Sequence, residues 1–137
     1  MLYYVPQKVS ELTAYEFVLT ARRPYVDFDY SKEDRKIALD ALKEVGMLQF
    51  KDRLLTELSG GQLQKIYIAR ALASGANVLL FDEPTSNLDP KASSEVMRLL
   101  KRIGLYTNKA IIISIHGLTL AYRYSDIRTK NYGNRQD

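Results

Sequence analysis

The stretch from Leu58 to Asp89 constrains this chain more than any other. It reads Leu58-Ser59-Gly60-Gly61-Gln62, a helix with an apolar face, and the short hydrophobic run Val78-Leu79-Leu80-Phe81. Asp82-Glu83-Pro84-Thr85-Ser86-Asn87-Leu88-Asp89 follows. Ser59 suits a helix N-cap, and Gln62 stands three positions on, the spacing of a capping box. A helix that starts there turns its unpaired N–H groups and the positive end of its dipole outward, a place for a phosphate. Gly60 and Gly61 lack a Cβ, so a ligand can come close to the backbone. The run 78–81 is apolar at every position, the pattern of a parallel strand buried on both faces. Asp82 and Glu83 stand at its carboxyl end, the edge at which open α/β sheets hold ligands. A phosphate-binding helix tip with paired carboxylates points to magnesium-dependent phosphoryl chemistry.

Each piece alone has a plainer reading: Ser-Gly-Gly-Gln as an ordinary capped helix, Asp-Glu as a solvated turn. Their combination is what speaks, because Gln62 and Asp82 lie twenty residues apart and the Asp89 segment follows directly. In this order the pieces resemble the signature motif, Walker B strand and D-loop of ABC-type ATPases, the ATP-binding (nucleotide-binding) domains of ABC transporters.

The flanking sequence extends the pattern. Residues 2–5 read as a strand cut short by Pro6. Thr13 and Glu16 form a capping-box pair. Ala14, Phe17, Val18 and Ala21 then keep helical spacing until Pro24 forbids continuation. Residues 25–30 are an aromatic and acidic loop. Ser31 caps a second helix with Ala38, Ala41, Leu42 and Val45 on one face and Gly46 as its stop. Residues 47–57 read as a shorter helical or turn segment, so residues 10–58 form a helical block. The helix from Gln62 ends near Ser74, with Gly75 as its stop. Asp89-Pro90 starts a further helix. Val96, Leu99, Leu100 and Ile103 give it an apolar stripe, and Gly104 is expected to close it. Residues 110–115 are a second buried strand ending at His116. A strand–helix–strand crossover makes the two strands parallel, which brings Glu83 and His116 to the same sheet edge.

The resemblance runs from residue 2 to about residue 126, and Tyr4-Val5-Pro6-Gln7 is similar to the family's Q-loop. It implies an α/β fold: a P-loop NTPase-like partial parallel sheet preceded by the ABC helical subdomain. Residues 1–137 would be a single partial domain, with 8–58 as helical subdomain, 59–126 as core and 127–137 as a divergent tail. It also implies roles. Asp82 and Gln7 would serve the magnesium ion, Asp82 through water. Glu83 would polarise the attacking water as general base, with His116 and Gln7 as the other catalytic residues at the γ-phosphate. Ser59, Gly60, Gly61 and Gln62 would embrace the γ-phosphate of a nucleotide held by the opposite subunit, and Asp89 would couple the two sites. The implied cofactors are ATP and Mg2+. The implied partners are a second ABC ATPase subunit, head-to-tail, and the transmembrane permease. The wording Thr13-Ala14-Tyr15-Glu16-Phe17-Val18-Leu19 with Arg22-Arg23-Pro24-Tyr25 is similar to ATPases of iron-siderophore, haem and cobalamin importers.

Three departures stand beside the resemblance. No Gly-Lys dipeptide occurs, so no Walker A motif is present, and the expectation is a fragment whose P-loop half would lie before residue 1. Gly117 stands where the family often has Asp after the switch histidine. Residues 127–137 are polar and unlike the family's closing strands.

Bulk properties exclude several classes. With no cysteine, disulfides and thiolate metal centres are ruled out. The longest apolar runs are far below the ~18 residues of a membrane span. No secretory signal is visible at the first residues. A cytoplasmic location, peripheral to the inner face of the cell membrane through the permease, is expected. The net charge of +4 is mild. Its denser spots, Arg22-Arg23 and Arg123 to Arg135, read as solvated faces rather than a nucleic-acid patch, because no nucleic-acid motif accompanies them. The leading function is energy coupling in an importer of an iron-chelate or cobalamin-type substrate. The alternatives are a non-catalytic module that binds a full-length ABC partner or permease, and an ABC-type ATPase of DNA repair or translation.

Overall fold

The computed structural model describes residues 8–115. The expected strand at 2–5, Gln7 with its Q-loop, His116, Gly117 and the tail lie outside them.

Each α-helix among the described residues starts at a cap that its sequence announces. Helix α1 (Ala14–Leu19) begins at Thr13 and α2 (Lys32–Glu44) at Ser31, each with a full capping box, closed by Glu16 and Asp34 respectively. Helix α3 (Gly60–Ala73) begins at Ser59 with Gln62 closing the box. Helix α4 (Pro90–Tyr106) begins at Asp89, whose carboxylate accepts from Ala92 N–H, with Pro90 in the first turn. Such caps satisfy donors that the helix itself leaves unpaired. A short 3-10 segment at Val9–Glu11 precedes α1, and others at Thr20–Tyr25, Leu48–Phe50 and Leu55–Glu57 link α1 to α2 and α2 to α3.

The stop at Gly46 is a Schellman motif. Gly46 has φ +73°. Met47 N–H donates to Leu42 O at 2.8 Å and Gly46 N–H to Lys43 O at 3.0 Å. Met47 and Leu42 are both buried in the core, as the apolar residues flanking such a cap usually are.

Strands β1 (Val78–Asp82) and β2 (Ala110–Ser114) pair in parallel, in register from Val78 opposite Ala110 to Asp82 opposite Ser114. The parallel crossover through α4 is therefore as expected. Helix α3 packs against α1, α2 and α4, and α4 lies on the sheet. One apolar core results, with Val18, Leu42, Ile66, Ile68, Val96, Leu100 and Ile103 at its centre. Burying one such side chain contributes about 1.5–3 kcal/mol.

Four readings of the sequence are corrected. First, the strands are not buried on both faces. Leu79 is buried and Phe81, Ile111 and Ile113 pack on the core, while Leu80 is 73% exposed, Ile112 56% and Val78 53%. A period-2 strand needs two covering layers to bury both faces, and only the layer carrying α4 is present among the described residues. Second, Gly104 does not close α4. It does not take a positive φ, and the helix runs to Tyr106. Its end is set by Thr107, whose N–H and Oγ both bond Ile103 O, at 3.0 and 2.6 Å.

Third, α1 ends at Leu19, before Pro24. The chain tightens there into the 3-10 segment Thr20–Tyr25, which holds Pro24 within it; proline's fixed φ suits that geometry. Fourth, Arg22 is not on a solvated face. Its side chain is 13% exposed, and its Nε donates to Asp34 Oδ1 at 3.0 Å while Nη1 donates to Ala73 O at 3.0 Å. The guanidinium also lies 4.2 Å over the Tyr25 ring, and Tyr25 OH donates to Ser74 O. The start of α2 and the end of α3 are thus fastened to one cation, placed at a helix C-terminus where its charge is favourable.

Two predictions follow from this packing. The exposed apolar sheet face should drive self-association of the isolated chain. Light scattering at high concentration should show oligomers that L80K reduces; a monodisperse monomer in the unaltered chain would contradict this. Backbone hydrogen bonding at Ser31, then the Arg22 and Ser31 side chains, hold the Asp34 carboxyl below its ordinary 3.8. A depressed folded-state pKa contributes stability above the unfolded pKa, and that stability is lost as pH falls through the folded one. D34N should therefore lower Tm at pH 7, with the gap to the native chain closing as pH drops below about 4. A pH-independent gap would sink this assignment.

Candidate functional site

Ser59 Oγ accepts from Gln62 N–H at 3.2 Å, and Gln62 Oε1 accepts from Ser59 N–H at 3.0 Å. Those bonds occupy two donors of the α3 terminus. Ser59 and Gly60 are exposed. Between Gly60 and the segment 88–92 there is little room. A Cβ built on Gly60 would lie 3.2 Å from Leu88 Cδ2, and one on Gly61 3.1 Å from Ala92 Cβ. The two glycines thus also permit a close approach within the chain. Asp89, exposed at the α4 N-cap, accepts from Ala92 N–H at 2.8 Å. The sequence-chosen residues Ser59, Gly60, Gly61, Gln62 and Asp89 are brought together here as two adjoining helix starts.

The carboxylates form a second cluster. Parallel pairing puts Asp82 and Ser114 opposite each other at the carboxyl ends of both strands. Ser114 Oγ donates to Asp82 Oδ1. Glu83 N–H is held by Ser114 O at 2.8 Å and lies 3.1 Å from Ser114 Oγ. Glu83 has φ +47°, an uncommon conformation for a residue with a side chain, which costs about 1–3 kcal/mol. It is kept there from both sides: Ser114 takes its N–H, and its carbonyl accepts from Ser86 N–H at 3.0 Å. The buried Pro84 follows. Strain of this kind, imposed on a carboxylate at a strand end, is a mark of functional positions.

Ser114 was not singled out from sequence. The signal was available: it is the one polar side chain in the apolar run 110–115, level with Asp82. Ala92 and Leu88 were missed for a different reason, since nothing in their sequence marks a contact across two helix starts.

No group of three or more metal-ligating side chains gathers among the described residues. Asp82, exposed and bonded at its carboxylate by Ser114, together with the neighbouring Glu83, nevertheless fits magnesium. That ion typically takes one or two carboxylates and completes its shell with water and phosphate. Among the same residues, no helix is long and apolar enough to cross a membrane.

A family model described as ABC transporter matches residues 1–86. The chain belongs to the ABC transporter family. An uncharacterised ABC transporter ATP-binding protein of Methanocaldococcus jannaschii is 42% identical over 90% of this chain and 49% of its own length. The iron(3+)-hydroxamate import ATP-binding protein of Bacillus subtilis is 40% identical, over 88% of this chain and 45% of its own. A phosphonates import ATP-binding protein of Ruegeria matches at a similar level, 37% over 86% and 48%. The chain thus spans about half the length of the curated relatives it matches. An ATP-binding cassette solved as a dimer in a post-hydrolysis state, bound to ADP and Pi, superposes with a TM-score of 0.65 at 34% identity. That match covers 82% of this chain and 49% of the cassette. The α/β fold, with its small parallel sheet, is that of ABC ATPase cassettes.

Proposed function

We propose that this chain serves in the ATP-binding subunit of an ABC transporter and contributes the trans-acting half of a composite nucleotide site. The observation that carries the reading is the contact between two capped helix starts, Ser59–Gln62 and Asp89–Ala92. An exposed helix start with glycine N–H groups attracts a phosphate, and in this family's arrangement that phosphate belongs to a nucleotide on the opposite subunit. The dimeric form of the cassette relative supports pairing with a second ATPase subunit, and the head-to-tail orientation is proposed from the signature resemblance. The other partner is a transmembrane permease, which would hold the chain at the inner face of the cell membrane.

The carboxylate cluster takes the complementary role in the chain's own cassette. Asp82 would hold the magnesium ion and Glu83 would accept a proton from the attacking water, its backbone fixed by Ser114. Magnesium, when bound, supplies charge neutralisation at the phosphates. Gln7 and His116 are proposed beside them, from sequence alone. The transported substrate is proposed to be an iron chelate or cobalamin-type molecule, on the wording of residues 13–25 and the likeness to the hydroxamate-import protein. The phosphonate-import relative favours a second reading, a phosphonate cargo. Uptake of labelled ferric hydroxamate and labelled phosphonate, with and without the transporter, separates the two.

Phosphoryl transfer needs a cradle of backbone N–H groups and a lysine around the β- and γ-phosphates. The 137 residues contain no Gly-Lys pair to begin one. An exposed helix start contributes only about 0.3–1 kcal/mol toward an anion, against the ~4 kcal/mol of millimolar binding. Calorimetry on the chain alone should therefore find MgATP binding no tighter than roughly millimolar and no turnover. Micromolar affinity would mean a phosphate site of another kind. Where a P-loop segment is restored to the same cassette, E83Q should lower hydrolysis by about 10²–10⁴-fold and leave ATP binding in place. A normal rate in E83Q would remove Glu83 from the general-base role.

A further inference from the structure

Ala92 belongs to no motif, yet it adjoins both segments assigned to the trans site. Its N–H donates to Asp89 Oδ1 at 2.8 Å. Its Cβ faces Gly61, where an added Cβ would stand only 3.1 Å away. Carbon atoms in ordinary contact lie about 3.5–4.0 Å apart. Leu88 Cδ2 faces Gly60 in the same way at 3.2 Å. Further along the same pair of helices, Lys65 Nζ meets Glu95 Oε2 at 3.3 Å. The first turns of α3 and α4 therefore meet closely at Gly61 and Ala92, where an added Cβ would push Ala92 back by a few tenths of an ångström, while one at Gly60 would meet only the tip of the Leu88 side chain.

We propose that Ala92 is a positioning residue which, with Leu88, sets the spacing between the signature tip at 59–62 and Asp89, so that both reach a partner's nucleotide as one rigid surface. The Asp89 cap fixes the first turn of α4. The Ala92 methyl is the stop against which the first turn of α3 rests, and a Cβ added at Gly61 would crowd it. Gly61 is then required within its own chain, for packing, as well as toward the phosphate. The packing half of this inference stands on geometry alone; the functional half rests on the proposed trans role.

The test is a cycle of G61A, A92G and the double variant in the full 137-residue chain. The first readout is thermal unfolding. Helix-propensity changes at each position appear in both backgrounds and cancel, leaving the contact between the two positions. G61A should cost less in the A92G background, with the Tm shifts failing to add by about 2–4 °C. If G61A does not fold, recovery of the transition in the double variant carries the same meaning, and no recovery counts against the contact. Additive shifts overturn the proposal.

The second readout is hydrolysis with a cassette that keeps its P-loop but carries a disabled signature motif. G61A should lose about tenfold to a hundredfold in turnover, and adding A92G should recover most of that loss. Coupled Tm shifts with no hydrolysis from any combination, the unaltered chain included, would remove the trans reading and leave the spacing intact. Coupled shifts with hydrolysis that A92G fails to recover would overturn the positioning role, since Gly61 would then be needed by the phosphate itself.

Discussion

The close approach of α3 to α4 is the constraint on which the rest of the structure depends. Helix α3 packs on α1, α2 and α4, so its position decides where the helical segments stand relative to the sheet. Both ends of this rod are held. At the C-terminal end Arg22 grips Ala73 O and Asp34 together. At the N-terminal end, two glycines let the backbone settle against Leu88 and Ala92. A 14-residue helix spans about 21 Å, so a small tilt at one end is a large displacement at the other. The cation at the far end and the close glycine approach at the near end together fix where Ser59–Gln62 stand in the fold.

The sheet shows what a partial α/β layer looks like in physical terms. Its strands have a sequence fit for burial on both faces, and the structure covers one of them. The exposed Leu80 and Ile112 are the outward half of a period-2 pattern. Even so, the carboxyl edge is well ordered by local bonds. Ser114 ties Asp82 and the backbone of Glu83 into one unit, and Glu83 sits in a conformation that such ties must hold against its own strain. The Asp82 carboxylate and the Glu83 backbone are therefore placed by pairing between β1 and β2.

Much of this was legible in the sequence, because the signals are local. Capping residues at Thr13, Ser31, Ser59 and Asp89, and the stop at Gly46, act over three to five residues, a range that sequence spacing reads directly. The parallel pairing also followed from the strand–helix–strand order. What was not legible involves contacts distant in the chain. Arg22 finds Ala73 across 51 positions, so its charge looked like surface. The end of α4 passed Gly104 because Thr107 supplied a better stop. Of the candidate site, the two helix starts and the Asp82–Glu83 pair were readable; their supports were not, because packing selects Ser114 and Ala92, and Leu88, though within the motif stretch, carries no sign of its contact with Gly60. Gln7 and His116 lie outside the described residues.

The central claim is that Ser59 acts on a nucleotide held by another subunit. The chain has no cysteine, so S59C creates a unique thiol, to be tested with an ATP analogue carrying a thiol-reactive group on its γ-phosphate. The account predicts labelling of S59C only when a P-loop-bearing cassette is present to hold the nucleotide. Equal labelling without that cassette, or none with it, would contradict the account.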